Sequence, residues 1–362
     1  MNRTDVIIIG GGVSGLMCAR ELATSGATVA VLERQALARE SSWAGGGILS
    51  PLSPWRVPKA VTALCRWSQA AYPQFAAELQ RDTGIDPEWL PSGLLFNACE
   101  DLDLALRWAQ AEGRPCQQLP ASGVASLAPK IQASGQSLLL PDVGQVRNPR
   151  LLRALRQDLA RRGVKLLEHH AIEGVIVKHG VAGGVVCRQE TLRADTYVLA
   201  AGAWSGLLAA GAGLAPPPVA PVKGEMIVFD APPGLLEPIV LSQGRYLIPR
   251  KDGRILAGST VENAQFNKSA TDAARETLRS FACGLLPALG LCRIEKHWAG
   301  LRPGSPEGIP AIGPHPEAGN LYLNCGHYRN GFVMAPASAR LLADHILHRP
   351  PIVDPTPYLP SA

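Results

Sequence analysis

The sequence predicts a mixed α/β fold that begins with a Rossmann-like nucleotide-binding unit and continues into an antiparallel sheet. The first observation is a β-branched run at residues 6–9 that leads directly into a glycine motif and a helix. The second is a group of short strand-like runs, separated by glycine and proline, in residues 223–259. The third is the length of 362 residues, which exceeds the usual size of one core and predicts two domains or one elaborated domain.

Composition excludes several classes of protein. Hydrophobic residues make up 46% of the chain and charged residues 18%, which excludes intrinsic disorder, and the 37 glycines follow no three-residue period, which excludes collagen. The net charge of +5 arises from 35 basic and 30 acidic residues without a long basic run, so we expect no nucleic-acid partner. The eight cysteines lack CxxC spacing, so we expect free thiols and no metal site.

The sequence does not predict a membrane span or a secretory leader. Residues 196–222 carry no charge, but glycines and the prolines at 216–218 interrupt them, so a buried strand followed by a helix of small residues is the better interpretation. The apolar run near the N-terminus is only four residues long. We therefore expect a cytoplasmic protein that does not act on a membrane.

The residues after the first strand fit the motif GxGxxG. Gly10 makes the tight turn, Gly12 leaves room for a pyrophosphate, and Gly15 lets the next helix pack on the strand. The start of that helix presents free N–H groups to the phosphates. A second apolar strand ends at Glu33, whose carboxylate can accept hydrogen bonds from ribose hydroxyls.

A second loop indicates which dinucleotide binds. Residues 40–48, ESSWAGGGI, place two hydroxyls and a triple glycine shortly after the second strand. Such a loop brings several N–H groups and small side chains against a flavin, whereas a nicotinamide domain has no need of it. The sequence contains no second strand–GxGxxG–helix unit, so we expect FAD that is reduced directly by the substrate, without NAD(P)H.

The middle of the chain supplies structure and no catalytic signature. Its tryptophans, between residues 55 and 108, are interpreted as core. Residues 147–162 predict an amphipathic helix, residues 172–177 and 184–188 a pair of strands, and residues 197–201 another buried strand.

Seven motifs together resemble one family: GGGVSGL, ESSWAGGGILSP, VLAAGAWSG, PVKGEM, GRYLIPRKDGRILAGST, HWAGLRPGSPEGIPAIG and NCGHYRNGFVMAPAS. Over nearly its whole length the chain resembles the FAD-dependent D-amino-acid oxidase superfamily and, within it, the glycine oxidase (ThiO) family of thiamine biosynthesis. The N-terminal glycines are shared by many flavoproteins, whereas HWAGLRPGSPEG and GHYRNG are much more specific.

The resemblance implies a Rossmann-like FAD-binding domain interleaved with a substrate domain built on an antiparallel sheet. We expect the FAD-binding domain to comprise residues 1–85, 147–220 and 299–362. The substrate domain is expected to comprise residues 86–146 and 221–298.

The resemblance also implies which residues hold the cofactor. The expected FAD contacts are Gly10, Gly12, Val13, Ser14, Gly15, Glu33, Arg34, Ser41, Ser42, Gly46, Gly47, Ile48, Val175, Gly202, His327, Tyr328, Arg329, Asn330, Gly331, Phe332 and Val333. Some relatives attach FAD through a cysteine near the strand that corresponds here to residues 297–302. That segment contains no cysteine, so we expect non-covalent FAD, and Cys325 is interpreted as a small buried residue.

Three residues match the positions where the family holds its substrate. Arg302 is the expected clamp for an amino-acid carboxylate, because a guanidinium offers a planar, bidentate fork. Tyr246 is expected to donate a hydrogen bond to the same carboxylate, and Arg329 to lie near the amine or the flavin. We expect no catalytic acid or base, and His297 is interpreted as a core or supporting histidine.

The activity implied by the resemblance is oxidation of glycine, and also of sarcosine and small D-amino acids. The Cα hydrogen passes as hydride to the flavin, the imine hydrolyses to glyoxylate and ammonia, and oxygen is reduced to hydrogen peroxide. The imine of the family also feeds thiazole formation in thiamine biosynthesis. The partners implied are a small amino acid and oxygen, and the assembly implied is a homotetramer.

Three alternatives remain open at this point. A D-amino-acid dehydrogenase that passes electrons to a quinone would share the fold and the arginine clamp. An enzyme that modifies tRNA would need a basic surface or a fused partner domain, and neither is evident. A non-catalytic FAD-binding subunit would have no use for Tyr246 and Arg302 together.

Overall fold

The computed structural model describes residues 4–360, which form three sheets and a set of helices. The strands, in chain order, are β1 (Val6–Ile9), β2 (Val29–Leu32), β3 (Leu94–Phe96), β4 (Gln117–Leu119), β5 (Ser137–Leu140), β6 (Lys165–Leu167), β7 (Ile172–Lys178), β8 (Val181–Cys187), β9 (Glu190–Leu192), β10 (Thr196–Leu199), β11 (Ala220–Asp230), β12 (Ile239–Ser242), β13 (Arg245–Pro249), β14 (Ile255–Gly258), β15 (Arg293–Gly304), β16 (Ala311–His315) and β17 (Ala318–Cys325). The α-helices are α1 (Val13–Thr24), α2 (Ser41–Ala44), α3 (Lys59–Thr83), α4 (Leu102–Ala111), α5 (Ala121–Leu127), α6 (Asn148–Arg161), α7 (Ser205–Gly211), α8 (Asp272–Leu285) and α9 (Gly331–Ile346).

The first sheet has the strand order β16-β17-β10-β1-β2-β6, parallel except for β16. Residues 6–9 are at most 3% exposed because both faces of this sheet are covered. Val6 and Ile8 belong to a hydrophobic cluster with residues of α1, α3, α6 and α9, whereas Ile7 and Ile9 belong to a cluster with residues of β8 and α7. Burial on both faces explains the continuous β-branched run and confirms the Rossmann-like start.

The second sheet has the order β15-β11-β14-β13-β12-β3-β5-β4 and is antiparallel except between β12 and β3. Its longest strand pair is β11 with β15 at one edge of the sheet, paired from Ala220–Gly304 to Asp230–Arg293 with a register shift between Val228 and Phe229. Segments of the chain alternate between the two large sheets, so the predicted mixed fold with interleaved parts is confirmed. The smaller β7-β8-β9 sheet is also antiparallel.

The domain limits remain a prediction, with residues 1–3 and 361–362 outside the described chain. β15 runs without interruption through the predicted limit between residues 298 and 299. We propose that the last substrate-domain segment continues to Gly304, where this strand ends. The helix predicted over residues 147–162 corresponds to α6, and the buried strand predicted over residues 197–201 corresponds to β10.

Two side chains of the second sheet tie it to the loop that follows β2. The guanidinium of buried Arg250 donates to the Gly46 carbonyl at 2.8 Å, to the Val146 carbonyl at 3.0 Å and to the Gln145 side-chain oxygen at 2.6 Å. The Trp298 indole N–H donates to the carbonyl of Ala44 at 3.0 Å. These bonds hold the glycine-rich loop against the second sheet. Within residues 4–360, no helix combines the length and apolar character needed to cross a bilayer.

Gly15 sets how closely α1 approaches β1. A Cβ there would lie 2.0 Å from the Gly10 carbonyl oxygen, which is backbone and has no freedom to turn aside. Gly15→Ala should therefore lower the free energy of unfolding by about 1–3 kcal/mol through overpacking. Gly284→Ala on α8, where a Cβ meets nothing within 4 Å, is the control and should be neutral or stabilising. Equal urea midpoints for both variants would contradict this packing argument.

Candidate active site

A cavity of about 450 Å³ lies between the carboxyl ends of the parallel strands and one face of the second sheet. The first sheet contributes the residues that follow β1, β2, β10 and β17. The second sheet contributes Gly224, Met226, Tyr246, Gly300 and Arg302. The site is thus assembled from segments that are distant in the chain.

The nucleotide end of the cavity is formed by the glycine motif and α1. The N-cap of this twelve-residue helix is Gly12, which has no side-chain cap. The Val13 N–H donates to the Ser42 hydroxyl at 2.9 Å, and the Gly11 N–H donates to the Glu33 carboxylate at 2.9 Å. The first N–H of the helix thus meets the Ser42 hydroxyl, and the positive end of the helix dipole suits an anionic pyrophosphate. Because one oxygen of the Glu33 carboxylate accepts the Gly11 N–H, part of its hydrogen-bonding capacity is already used within the protein.

Arg34 is fixed by an aromatic ring and a carboxylate. Its guanidinium lies 3.7 Å from the centroid of the Trp204 ring and donates to Glu40 at 2.7 Å. Phe266 packs on Trp204, with ring centroids 5.5 Å apart. Trp204 lines the cavity and was missed in the sequence, although it lies in the VLAAGAWSG motif.

His327 faces the same end of the cavity from the loop after β17. The ring is 2% exposed, its Nδ1 lies 3.5 Å from the Ser14 hydroxyl, and its Nε2 has no hydrogen-bond partner. Burial lowers the pKa of His327 to about 4, so the ring is neutral near pH 7. A buried nitrogen without a partner beside the phosphate-binding loop fits a bound dinucleotide, which carries many acceptors.

The cavity brings together most of the residues expected to hold the cofactor. Those that line it are Gly10, Gly12, Val13, Ser14, Glu33, Arg34, Ser41, Ser42, Gly46, Gly47, Ile48, Gly202, His327, Tyr328, Arg329, Asn330, Gly331 and Phe332. Gly15, Val175 and Val333 are not among its lining residues. Gly15 packs on β1, Val175 belongs to β7, and Val333 is buried in the helical core.

Arg302 lies at the other end of the cavity, on β15. Its guanidinium donates to the Ser259 hydroxyl at 2.7 Å and to the carbonyls of Lys223 and Thr260 at 3.2 Å each. All three acceptors are neutral, so the positive charge is positioned without being cancelled. Burial, together with the charge of Arg329, lowers the pKa of Arg302 below its ordinary value. The arrangement suits an anionic ligand group such as a carboxylate.

The other two predicted substrate residues also line the cavity. The Tyr246 hydroxyl lies 3.8 Å from the sulfur of Met226, on the strand beside Arg302. Arg329 is exposed at the rim, with its guanidinium 5.4 Å from the centroid of the Tyr328 ring. The structure therefore places one partly buried cation, one hydroxyl and one exposed cation around the same space.

Sequence reasoning missed the surfaces that shape the substrate end. Gly224 leaves room for Arg302, since a Cβ there would lie 2.2 Å from both terminal guanidinium nitrogens. Met226 and Ser259 complete the wall. Gly224 and Met226 both lie in the PVKGEM motif, which was the available signal for them. Across the described residues, no cluster of three or more His, Cys, Asp or Glu side chains could hold a metal ion.

The low pKa of His327 predicts acid sensitivity. An unfolded chain protonates histidine near pH 6.5, whereas the folded protein resists until about pH 4, so stability falls as the pH drops through this window. The linkage amounts to about 3 kcal/mol. His327→Asn should remove this part of the pH dependence in protein stripped of bound nucleotide, measured by urea unfolding at pH 7 and pH 4.5. Identical pH dependence in both proteins would contradict a neutral buried ring.

Comparison with known proteins agrees with this geometry. A family model described as FAD dependent oxidoreductase (DAO) matches residues 5–345. A protein named glycine oxidase from Pseudomonas aeruginosa is 48% identical over 98% of each chain. A "Bifunctional protein ThiO/ThiG" from Synechocystis is 35% identical over 95% of this chain and 52% of its own.

Similarity extends to solved structures. The crystal structure of glycine oxidase from Geobacillus kaustophilus superposes with a TM-score of 0.94 at 30% identity, covering 100% of this chain and 99% of that one. Since the family model spans nearly the whole described chain and the nucleotide end of the cavity fits a dinucleotide, the protein belongs to the FAD-dependent oxidoreductase family and its cofactor is FAD.

Proposed function

We propose that the chain is an FAD-dependent amine oxidase whose principal substrate is glycine. The observation that carries this proposal is the partly buried guanidinium of Arg302, which opens into the cavity that fits FAD and whose hydrogen-bond acceptors among the described residues are neutral. The 48% identity to a protein named glycine oxidase supports the substrate assignment. Sarcosine and small D-amino acids are proposed as further substrates.

The chain contributes binding and orientation. Arg302 holds the substrate carboxylate in a bidentate pair, and the Tyr246 hydroxyl donates a third hydrogen bond to it. FAD, when bound, supplies the acceptor for the Cα hydrogen and its electron pair, which then reduce oxygen to hydrogen peroxide.

Two cations in one cavity also favour the reactive form of the amine. Arg302 and Arg329 both line the cavity, and a nearby positive charge lowers the pKa of an ammonium group. The neutral amine is the form whose lone pair assists loss of the Cα hydrogen. No side chain is therefore required as a catalytic base. The imine product hydrolyses to glyoxylate and ammonia.

The biological context is also a proposal. We infer that the imine feeds thiazole formation in thiamine biosynthesis, which is supported by the relative named for ThiO and ThiG together. All eight cysteines are free, which agrees with a reducing, cytoplasmic compartment. A homotetramer is inferred from the family resemblance alone.

The chemistry of Cys325, the cysteine among the described cavity-lining residues, is consistent with non-covalent attachment of FAD. Burial raises the pKa of the Cys325 thiol to about 12, so its nucleophilic thiolate is scarce at neutral pH. Acid precipitation should therefore release all flavin into the supernatant. Flavin retained in the protein pellet would contradict this proposal.

Turnover by the purified holoprotein tests the proposed activity. We expect hydrogen peroxide and ammonia in equal amounts with glycine under air, and slower turnover with sarcosine and D-alanine. Dye reduction without peroxide would instead identify a dehydrogenase that uses a quinone. A flavin that none of these amino acids reduces would overturn the proposal in favour of a non-catalytic FAD-binding subunit.

Gly224→Ala tests the arginine clamp without removing a charge. The new methyl would displace the Arg302 guanidinium, so kcat/KM for glycine should fall by about a hundredfold while FAD content is retained. Gly174→Ala on β7 is the matched control, because a Cβ there meets nothing within 4 Å. Equal kinetics of the two variants would show that the position of Arg302 does not matter.

A further inference from the structure

A buried ionic network lies behind the substrate end of the cavity. Side chains alternate along β11, so Gly224 and Met226 face the cavity while Lys223 and Glu225 face away from it. Lys223 is 3% exposed and Glu225 is fully buried, and the Lys223 ammonium lies 2.7 Å from the Glu225 carboxylate. The mechanism proposed above uses neither side chain, although the Lys223 carbonyl helps to hold Arg302.

Glu225 is the centre of this network. Besides Lys223, its carboxylate accepts hydrogen bonds from the N–H of Thr271 at 2.9 Å and the hydroxyl of Thr271 at 3.2 Å, and it lies 2.7 Å from the His297 ring nitrogen. Burial alone would raise the pKa of Glu225, but the bonds from Lys223 and Thr271 outweigh it and lower the pKa. Glu225 is thus an anion.

Lys223 has a second carboxylate partner. Its ammonium lies 3.3 Å from Glu262, a side chain that is 40% exposed, and the two residues also form a backbone bridge. Glu262, which follows the Ser259–Thr260 pair, is not among the residues that line the cavity. Among the described residues, the charge pair of this network in which both side chains are buried is therefore Lys223 with Glu225.

The network and the clamp share the same backbone. The Lys223 carbonyl accepts from both Arg302 and the Glu262 N–H, at 3.2 and 3.0 Å. Thr260 accepts from Arg302 through its carbonyl at 3.2 Å and from the Glu225 N–H through its hydroxyl at 3.0 Å. The anion and the substrate clamp therefore lie on opposite faces of one strand.

An uncompensated anion at this position would reduce the positive potential at Arg302. Charges on either side of a buried strand interact strongly, because little water screens them. A buried ion pair is seldom more stabilising than an apolar pair of the same volume, so stability alone does not account for it. The effect of the Lys223–Glu225 pair on the charge of Arg302 gives this pair a specific role.

We propose that Lys223 is a positioning residue for carboxylate recognition. Its ammonium neutralises Glu225, so that the charge of Arg302 on the other face of β11 is left for the substrate. This inference rests on the proposed function, since it assigns the clamp to an amino-acid carboxylate. It also predicts that the two members of the pair act on binding with opposite signs.

The test measures acetate binding to the holoprotein from the change in flavin absorbance, which requires no turnover. Lys223→Met should raise the dissociation constant about tenfold, and Glu225→Gln should lower it about threefold to tenfold. The double variant should return to within about threefold of the wild type. Lys296→Met, which removes an exposed charge from β15, is the matched control and should change nothing.

The opposite signs separate electrostatics from structure. If the pair only supports the fold, both single variants weaken binding and the double variant restores nothing, which would overturn the inference. Should Lys223→Met fail to fold, Glu225→Gln alone decides, since unchanged or weaker binding of acetate contradicts the proposal. Glycine turnover by the wild type is measured in parallel. Its absence would overturn the proposed function, whereas its presence with the wrong signs would overturn this inference alone.

Discussion

The arrangement of this site depends on a partly buried cation at the cavity that has no carboxylate partner among the described residues. Arg302 is held by a hydroxyl and two carbonyls, which fix its fork without cancelling its charge. Partly burying a charge without a counter-charge is unfavourable until an anion binds. A substrate carboxylate supplies that counter-charge, so binding relieves a cost already present in the folded protein. Other interactions in the folded protein offset the unfavourable free energy of Arg302 before substrate binds.

The pairing of β11 with β15 explains how one sheet can present the charge of Arg302 to the cavity. Its cavity face carries small or apolar residues, such as Gly224 and Met226, that leave room for the guanidinium and the substrate. Its opposite face carries the neutralised pair of Lys223 and Glu225. Arg250 then fastens the same sheet to the glycine-rich loop. Substrate and cofactor ends of the cavity are therefore held at a fixed separation.

The sequence allowed good prediction where the determinants are local. The strand, glycine motif, helix and Glu33 lie within one short segment, and the structure places Gly10, Gly12, Val13, Ser14 and Glu33 along the cavity. The register of β11 against β15 joins segments far apart in the chain, so neither the close approach at Gly224 nor the role of Lys223 could be read from periodicity. The expected contact at Val175 depended on family resemblance; this residue lies on β7 and is not among the residues that line the cavity, so the contact stays a prediction.

The central claim is that the site recognises a carboxylate through Arg302, and a matched pair of substrates tests it directly. Glycine and glycinamide have the same Cα and amine, but glycinamide has no negative charge. The measurement is the rate at which each bleaches the flavin of the holoprotein in the absence of oxygen. The account predicts rapid bleaching by glycine and almost none by glycinamide at the same concentration. Equal rates would contradict it.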